Sequence, residues 1–330
     1  MSTLAASLAR RRSPAVKPQG NLFEKVVIVR RRTDLEDLVH RFNTVAQARF
    51  YLEHAGQDFG PIEAGHQRYQ LALDGIRASI PRGLKLQVIE RDQLAQYSFA
   101  PADLVVTVGP DGLVVNTAKY LDAQPIVAVN PDPETIDGIL LPFGAERFGP
   151  ALSATLQGAS RIQAVSMAEA RLSDGQRLLA FNDLFIGPRS HVSARYRIRH
   201  AGESEDQSSS GLIVSTGAGS TGWLQSVYAG AAGVVEALGG HVVPPPQGGR
   251  IPWDAEYLAF AVREPFPSKV TGTRLVFGTI TRDQPLVLES HMAEHGVIFS
   301  DGIEQDYVQF NAGASATITL ADRKARLVVT

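Results

Sequence analysis

Four short stretches of the chain carry residues whose types and spacing can do chemistry. The first is Gly109-Pro110-Asp111-Gly112, directly after the apolar run Leu104–Val108. Glycines at a strand end let backbone N–H groups approach a phosphate, and a following helix N-terminus favours anions. Asp111 at that position could orient or deprotonate a hydroxyl. The same four residues also fit a β-turn with proline at its first corner. The second stretch is SSSGLIVSTGAGSTGWLQS over 208–226, where an apolar strand runs into Gly217, Gly219 and Gly222. Hydroxyls from Ser215, Thr216, Ser220 and Thr221 stand between those glycines, a donor set that suits a ribose or a phosphate. It lacks the Gly-Lys-Ser/Thr ending of a Walker loop and the βαβ setting of a GxGxxG turn. Its plain alternative is a tight strand-to-helix connection. The third is Asn182-Asp183, a polar pair inside the apolar run Phe181–Ile186. Buried polar groups cost stability without partners, so the pair either starts a turn or faces a ligand. The fourth is Ser300-Asp301-Gly302, which reads first as a hairpin turn and second as a possible site through Asp301. His191, His241, His291 and His295 show no metal-ligand spacing, so no metal site is expected among the side chains.

The elements that must position these residues change character halfway along. In the first half, Lys25–Arg30, Leu84–Ile89, Leu104–Val108 and Pro125–Asn130 read as short buried strands. Thr33–Gly56, Ile62–Ser79 and Leu113–Leu121 read as helices between them. This alternation predicts a mostly parallel sheet with helices on its faces, and ligands in such sheets sit beyond the carboxyl ends of strands. The second half is strand-rich. Ile162–Leu172, Gln176–Ile186, Ser193–Arg199, Gly211–Ser215, Glu256–Arg263, Arg274–Thr281, Leu286–Ser290, Gly296–Ser300 and Ala316–Val329 read as strands or strand pairs. Gly202–Ser210 and Pro244–Gly249 read as exposed loops. The fold class is therefore α/β: an N-terminal α/β domain with a mostly parallel sheet over 21–147, then a β-rich domain over 148–330.

Composition narrows the function. The chain has 330 residues with 32 Lys and Arg against 34 Asp and Glu, so its formal charge is −2. Nothing in that balance favours nucleic acid or an anionic membrane. The absence of cysteine excludes disulfides, thiolate metal sites and a cysteine nucleophile. No apolar run approaches the roughly 18–20 residues of a spanning helix. Residues 1–20, with Arg10, Arg11, Arg12, Pro14 and Pro18, read as a disordered basic tail. Without a signal peptide, a cytoplasmic location is expected.

The four stretches, in this order, resemble the NAD kinase family, whose pattern is Gly-Gly-Asp-Gly-Thr, then Asn-Glu, then a Gly/Thr/Ser-rich loop, then a late Asp-Gly. Here they read GPDGL (109–113), ND (182–183), STGAGSTGW (215–223) and DG (301–302). The mitochondrial type in particular is similar in VNPDPETIDGILLPF (129–143), FNDLFIGPRSHVSARY (181–196), SSGLIVSTGAGSTGW (209–223) and VREPF (262–266). The resemblance spans about residues 100–305. It implies transfer of a phosphoryl group from ATP, with Mg2+ on the donor phosphates, to the 2′-hydroxyl of the adenosine ribose of NAD. It also implies a homodimer or higher homo-oligomer. By the same resemblance, Asp111 would activate the hydroxyl, and Asn182 and Asp183 would hold the dinucleotide. Thr221, Gly222, Trp223 and Ser226 would line its pocket, and Gly109 and Gly112 would shape the phosphate loop.

The departures from the family pattern fall mainly on one side. Pro110 replaces a glycine and has no N–H to give a phosphate, and Leu113 replaces a threonine hydroxyl. Asp183 is one methylene shorter than the family glutamate, and Ala218 replaces a Thr or Ser. Two other functions therefore stand beside the kinase: a catalytically weak relative that binds or senses a dinucleotide, and a related lipid or sugar kinase. The Asn-Asp pair and the second glycine-rich loop argue against the last.

Overall fold

The computed structural model describes residues 22–330. The basic tail expected over 1–20 lies outside the described residues. The chain enters through β1 (Lys25–Arg30), then α1 (Asp34–Phe42), α2 (Val45–His54) and α3 (Gly60–Ala78). It continues through β2 (Lys85–Glu90), β3 (Asp103–Val108), α4 (Asp111–Ala118), β4 (Pro125–Asn130), the short β5 (Phe143–Gly144) and α5 (Phe148–Leu156). The single helix expected over Thr33–Gly56 is broken in two. Asn43 ends α1 in the left-handed conformation with φ 67°, and the Thr44 side chain accepts an N–H from Gln47 to start α2.

The parallel strands run in the order β2-β1-β3-β4. Residue alternation assigns each face its partners. Val26, Ile28, Leu104, Val106, Val127 and Val129 pack with Leu73 and Ile76 of α3 and with Phe148 and Leu152 of α5. Val27, Val29, Val105, Ile126 and Ala128 pack on the opposite face with Leu113, Val114, Val115 and Ala118 of α4. Helix α4 is thus a buried rod, and its first residue is Asp111. Helix α5, which follows residue 147, also packs on this sheet.

The second half contributes β6 (Arg161–Leu172), β7 (Arg177–Ala180), β8 (Asp183–Pro188), β9 (Ala194–His200), β10 (Glu203–Ser209) and β11 (Leu212–Ser215). After α6 (Trp223–Ala237) come β12 (Leu258–Val262), β13 (Phe277–Ile280), β14 (Leu286–Ser290), β15 (Gly296–Ser300), β16 (Ile303–Gln309) and β17 (Ser315–Val329). One antiparallel sheet runs β13-β12-β11-β8-β15-β16. It packs against β6, β9, β14 and β17 through a core that includes Leu184, Ile186, Val214, Phe260, Tyr196, Ile198 and Leu288. Strand β17 then returns to the first half and pairs in parallel with β4 at Arg326–Pro125 and Leu327–Ile126. The two halves therefore share a single sheet, which fixes their relative placement.

Two sequence readings need correction. Residues 203–209, within the stretch read as an exposed loop, form β10, paired antiparallel with β9 in full register. Ala201 (φ 50°) and Gly202 (φ 83°) make the tight turn before it. Its polar residues serve an edge strand: Asp206 takes two N–H bonds from Arg197 at 2.9 and 3.0 Å, while Gln207 and Ser209 turn inward. Strand β16 has no counterpart among the strand ranges read from the sequence, although the hairpin turn read at Ser300-Asp301-Gly302 is present: Asp301 (φ 55°) and Gly302 (φ 68°) join β15 to β16. Among the described residues no helix is long and apolar enough to cross a membrane.

Candidate functional site

The carboxyl end of β3 and the start of α4 form one wall of a cleft of about 550 Å³. Gly109 has φ 156°, and a Cβ there would lie 3.0 Å from Leu113 Cδ2. The Leu113 side chain fills that space and is buried. Pro110 precedes the first helical residue, and its carbonyl accepts the Leu113 N–H at 2.9 Å. Asp111 projects into the cleft half-buried. Its two carboxylate oxygens accept N–H bonds from Ile139 at 3.1 Å and Leu140 at 3.0 Å. Burial pushes its pKa up, and these two bonds oppose the rise.

The facing wall is the turn between β7 and β8, which carries Asn182 and Asp183. Almost every backbone group of that turn is held. Thr216 donates its N–H to the Asn182 carbonyl at 2.9 Å and its hydroxyl to the Phe181 carbonyl at 2.6 Å. The Asp301 carboxylate accepts N–H bonds from Phe181 (3.1 Å), Asn182 (2.6 Å) and Asp183 (3.3 Å). In return Asp301 donates its own N–H to the Asp183 carbonyl at 2.9 Å. Asp301 is thus both the hairpin corner that its sequence setting suggests and the clamp of the Asn-Asp turn.

The loop after β11 packs directly on this turn. A Cβ at Gly219 would lie 2.1 Å from the Asn182 carbonyl oxygen, and one at Gly217 would lie 2.0 Å from the Pro252 oxygen. Only glycine fits at either position. The Ser220 hydroxyl donates to the Gly217 carbonyl (2.8 Å) and accepts the Ile251 N–H (3.0 Å). The Ser215 hydroxyl donates to the Thr216 carbonyl at 3.1 Å, so three of the hydroxyls noted in the sequence, those of Ser215, Thr216 and Ser220, serve the protein itself. Thr221 and Gly222 are exposed and line the cleft. Asp183 also lines it, mostly buried. Loss of solvent, aided by repulsion from Asp301, raises its pKa from 3.8 to about 7.

The cleft thus brings together Asp111, Gly112, Asn182, Asp183, Thr221, Gly222 and Asp301. Gly109 lines an adjoining crevice of about 460 Å³ beyond the ends of β1, β3 and β4, with Arg31, Arg32, His66, Arg68 and Asp132. Arg31 and Pro110 border both spaces. Trp223 and Ser226 do not line the cleft. They lie in a separate groove with Val227, Gly230 and Arg263, where Trp223 stacks on Phe185 at 5.6 Å and lies under the Arg263 guanidinium at 5.3 Å. Sequence reasoning missed Arg31, Arg91, Arg250 and Trp253, which also border the cleft. Arg31 could have been found, since it directly follows the carboxyl end of a predicted parallel strand. Arg91, Arg250 and Trp253 carry no such signal. Among the described residues no three His, Asp or Glu side chains cluster as a metal site.

No protein-family model matches the chain, and no curated protein matches it. Solved structures do. A yeast NADH kinase complexed with NADH aligns over 96% of this chain and 88% of its own, at 14% identity and a TM-score of 0.56. An NAD kinase from Archaeoglobus fulgidus in complex with ATP aligns over 92% of this chain and 93% of its own, at 19% identity and a TM-score of 0.51. The fold is that of the NAD kinases. Because the alignments span nearly the whole chain, the NAD kinase fold covers both the parallel sheet and the antiparallel layers described above.

Proposed function

We propose that the protein is a phosphotransferase that moves the terminal phosphoryl group of a nucleoside triphosphate to the 2′-hydroxyl of the adenosine ribose of NAD, making NADP. The observation that carries this reading is the single cleft in which Asp111, at a strand end and helix start, faces the Asn182-Asp183 turn and the 217–222 loop. The dinucleotide binds between the turn and the exposed Thr221-Gly222 segment, with its ribose towards Asp111. The donor enters by the arginine-rimmed crevice, so Arg31 meets both substrates. Magnesium arrives as part of the donor, held by phosphate oxygens and water. In the transfer, the ribose 2′-oxygen bonds to the γ-phosphorus as the bond from that phosphorus to the β,γ-bridging oxygen breaks. The nucleoside diphosphate leaves, and the hydroxyl proton passes to Asp111. The raised pKa of Asp111 suits it to take that proton. The exposed apolar residues Val234, Val235, Leu238 and Val243, on and after α6, support self-association into a homodimer or larger assembly.

A second reading is a dinucleotide-binding relative with little turnover. It is favoured by the donor wall: Pro110 has no N–H, Leu113 has no hydroxyl and is buried, and the Asp111 carboxylate is already engaged by Ile139 and Leu140. One experiment separates the two. Purified protein is given NAD, ATP and Mg2+, with NADP read by an NADP-specific enzyme and Asp111→Asn as control. NADP formation that the control loses supports the transferase. Calorimetric NAD binding with no product from any donor would replace it with the second reading.

A further inference from the structure

Lys119 belongs to no motif, yet it ends α4, the helix that Asp111 begins. The two residues stand about 12 Å apart along the helix axis. Lys119 is only 7% exposed. Its ammonium lies 3.3 Å from the Asp301 carboxylate, donates to Ser300 Oγ at 2.6 Å and pairs with Asp306. Ser300 Oγ in turn donates to Asp306 at 3.1 Å. The Asp301 side chain is wholly buried, and its remaining partners are the three N–H groups of the Asn182-Asp183 turn. A buried carboxylate without a counter-ion neutralises itself by taking up a proton. A protonated Asp301 would be a poorer acceptor for those three N–H groups.

We propose that Lys119 is a positioning residue of the cleft: by keeping Asp301 ionised, it ties the far end of α4 to the Asn182-Asp183 turn and so fixes that turn relative to Asp111. The meaning of that distance for phosphoryl transfer rests on the function proposed above; the electrostatic clamp does not. The charges around Asp183 and Asp301 agree with it. Lys119 and Asp306 lie behind Asp301, Asp111 stands across the cleft, and Arg31, Arg91 and Arg250 border its mouth. Burial raises the pKa of Asp301, and Lys119 is the largest influence lowering it. Ionised Asp301 in turn helps raise the pKa of Asp183. Lys119 and Asp306 also border a second cavity of about 600 Å³ on the far side, with Tyr120, Arg177 and Arg323, so the outer face of the clamp is open to probing.

The test is a pH titration of the full chain labelled with 13C at the aspartate carboxyl carbons, with Asp183→Asn and Asp301→Asn used to assign the two signals. In Lys119→Met, Asp301 should hold its proton to higher pH. Asp183, relieved of a charged neighbour, should then titrate on the order of one unit lower than in the wild type. Lys119→Arg keeps the charge and should restore the wild-type titration. The same Lys119→Met protein should bind NAD about tenfold more weakly while its ATP affinity is unchanged. A merely structural lysine would lower stability and both affinities together and leave the Asp183 titration where it was; that result in folded Lys119→Met protein overturns the proposal. Should Lys119→Met fail to fold, Asp306→Asn carries the test. It leaves Asp301 as the one carboxylate paired with Lys119 among the described residues, so the Asp301 signal should move to lower pH, and an unmoved signal overturns the proposal. If the titrations shift as stated but neither NAD nor ATP binds any variant, the clamp stands and the phosphotransferase reading falls.

Discussion

The two walls of the cleft are built to different standards. The wall that the proposed function assigns to the phosphoryl acceptor, against the donor wall around Asp111, is over-determined: the Asn182-Asp183 turn is held by Asp301 and Thr216, and Gly219 is pressed on the Asn182 carbonyl. The donor wall is loose by comparison. A Cβ at Gly112 would meet nothing within 4 Å, Pro110 holds no ligand-facing N–H, and the Asp111 carboxylate rests on the backbone of an exposed loop at Ile139. The contrast teaches where each wall gets its order. The acceptor wall has its backbone groups satisfied by the protein's own bonds, while the donor wall carries hydrogen bonds that a bound substrate could take over.

Glycine-to-alanine exchange is the sharpest way to break this comparison. Gly219→Ala sets a methyl group 2.1 Å from a backbone oxygen that is itself hydrogen-bonded, so nothing near it can yield cheaply. A loss of about 3 kcal/mol or more, at the upper end for overpacking, is expected in urea denaturation, with loss of NAD binding. Gly112→Ala in α4 meets no neighbour and has ordinary helical φ, so it should change stability by less than about 1 kcal/mol, in the stabilising direction. Equal losses at the two positions would erase the distinction between the walls.

The pH dependence of stability is the next largest effect. The folded-state pKa of Asp183 is raised to about 7 from 3.8, so between these values the folded chain holds a proton that the unfolded chain has released. Its contribution is fully present below about pH 4 and is lost as pH rises through 7. The wild type should therefore lose about 2–3 kcal/mol relative to Asp183→Asn between pH 4.5 and pH 8; the full shift would give slightly more, and partial exposure reduces it. Parallel stability curves for the two proteins would mean that Asp183 is ionised throughout and that the acceptor wall is wetter than its packing implies.

How much of this was legible in the sequence follows from where the ordering forces act. The strands of Val and Ile and the alternation of elements are local signals, and Lys25–Arg30, Pro125–Asn130 and Gly296–Ser300 lie where the sequence places them. Strand β10 was missed because an edge strand needs no apolar run; its hydrogen bonds to β9 and the Arg197–Asp206 pair do the ordering. The break at Asn43 is a single left-handed residue inside a continuous helical pattern. Asp111, Asn182, Asp183 and Asp301 were found because each sits at a strand end beside glycine or in an apolar run. Lys119, Arg91 and Arg250 were not, because nothing within a few residues of them records what lies far along the chain. Trp223 and Ser226 were assigned to the pocket by the family resemblance, whereas the first turn of α6 places both in a different groove.

A smaller effect tests the acceptor wall from within. Thr216→Val keeps the shape but removes a hydroxyl that donates to Phe181 at 2.6 Å and accepts from Gly219 at 3.2 Å. Both partners lose a bond in a fully buried setting, so about 1–2 kcal/mol should be lost, read by denaturation. NAD affinity should fall with it, because the same hydroxyl joins the loop to the turn. Unchanged affinity would show that the wall tolerates one missing tie.

Pro110→Gly has the smallest expected effect on stability and bears most directly on the donor wall. Glycine adds conformational freedom to the unfolded chain, which costs below about 1 kcal/mol. What it adds to the folded state is one N–H at the start of α4, where a phosphate would meet it. If the donor wall limits turnover, this variant lowers the KM for ATP by about tenfold, the worth of one charge-assisted hydrogen bond, and leaves the KM for NAD unchanged. Leu113→Thr serves less well, because Leu113 is buried over Gly109 and a smaller side chain would leave a cavity there. Unchanged steady-state kinetics in Pro110→Gly would move the limit to Asp111, the proposed base, whose carboxylate oxygens already accept the Ile139 and Leu140 N–H groups and would have only their remaining lone pairs for the hydroxyl proton.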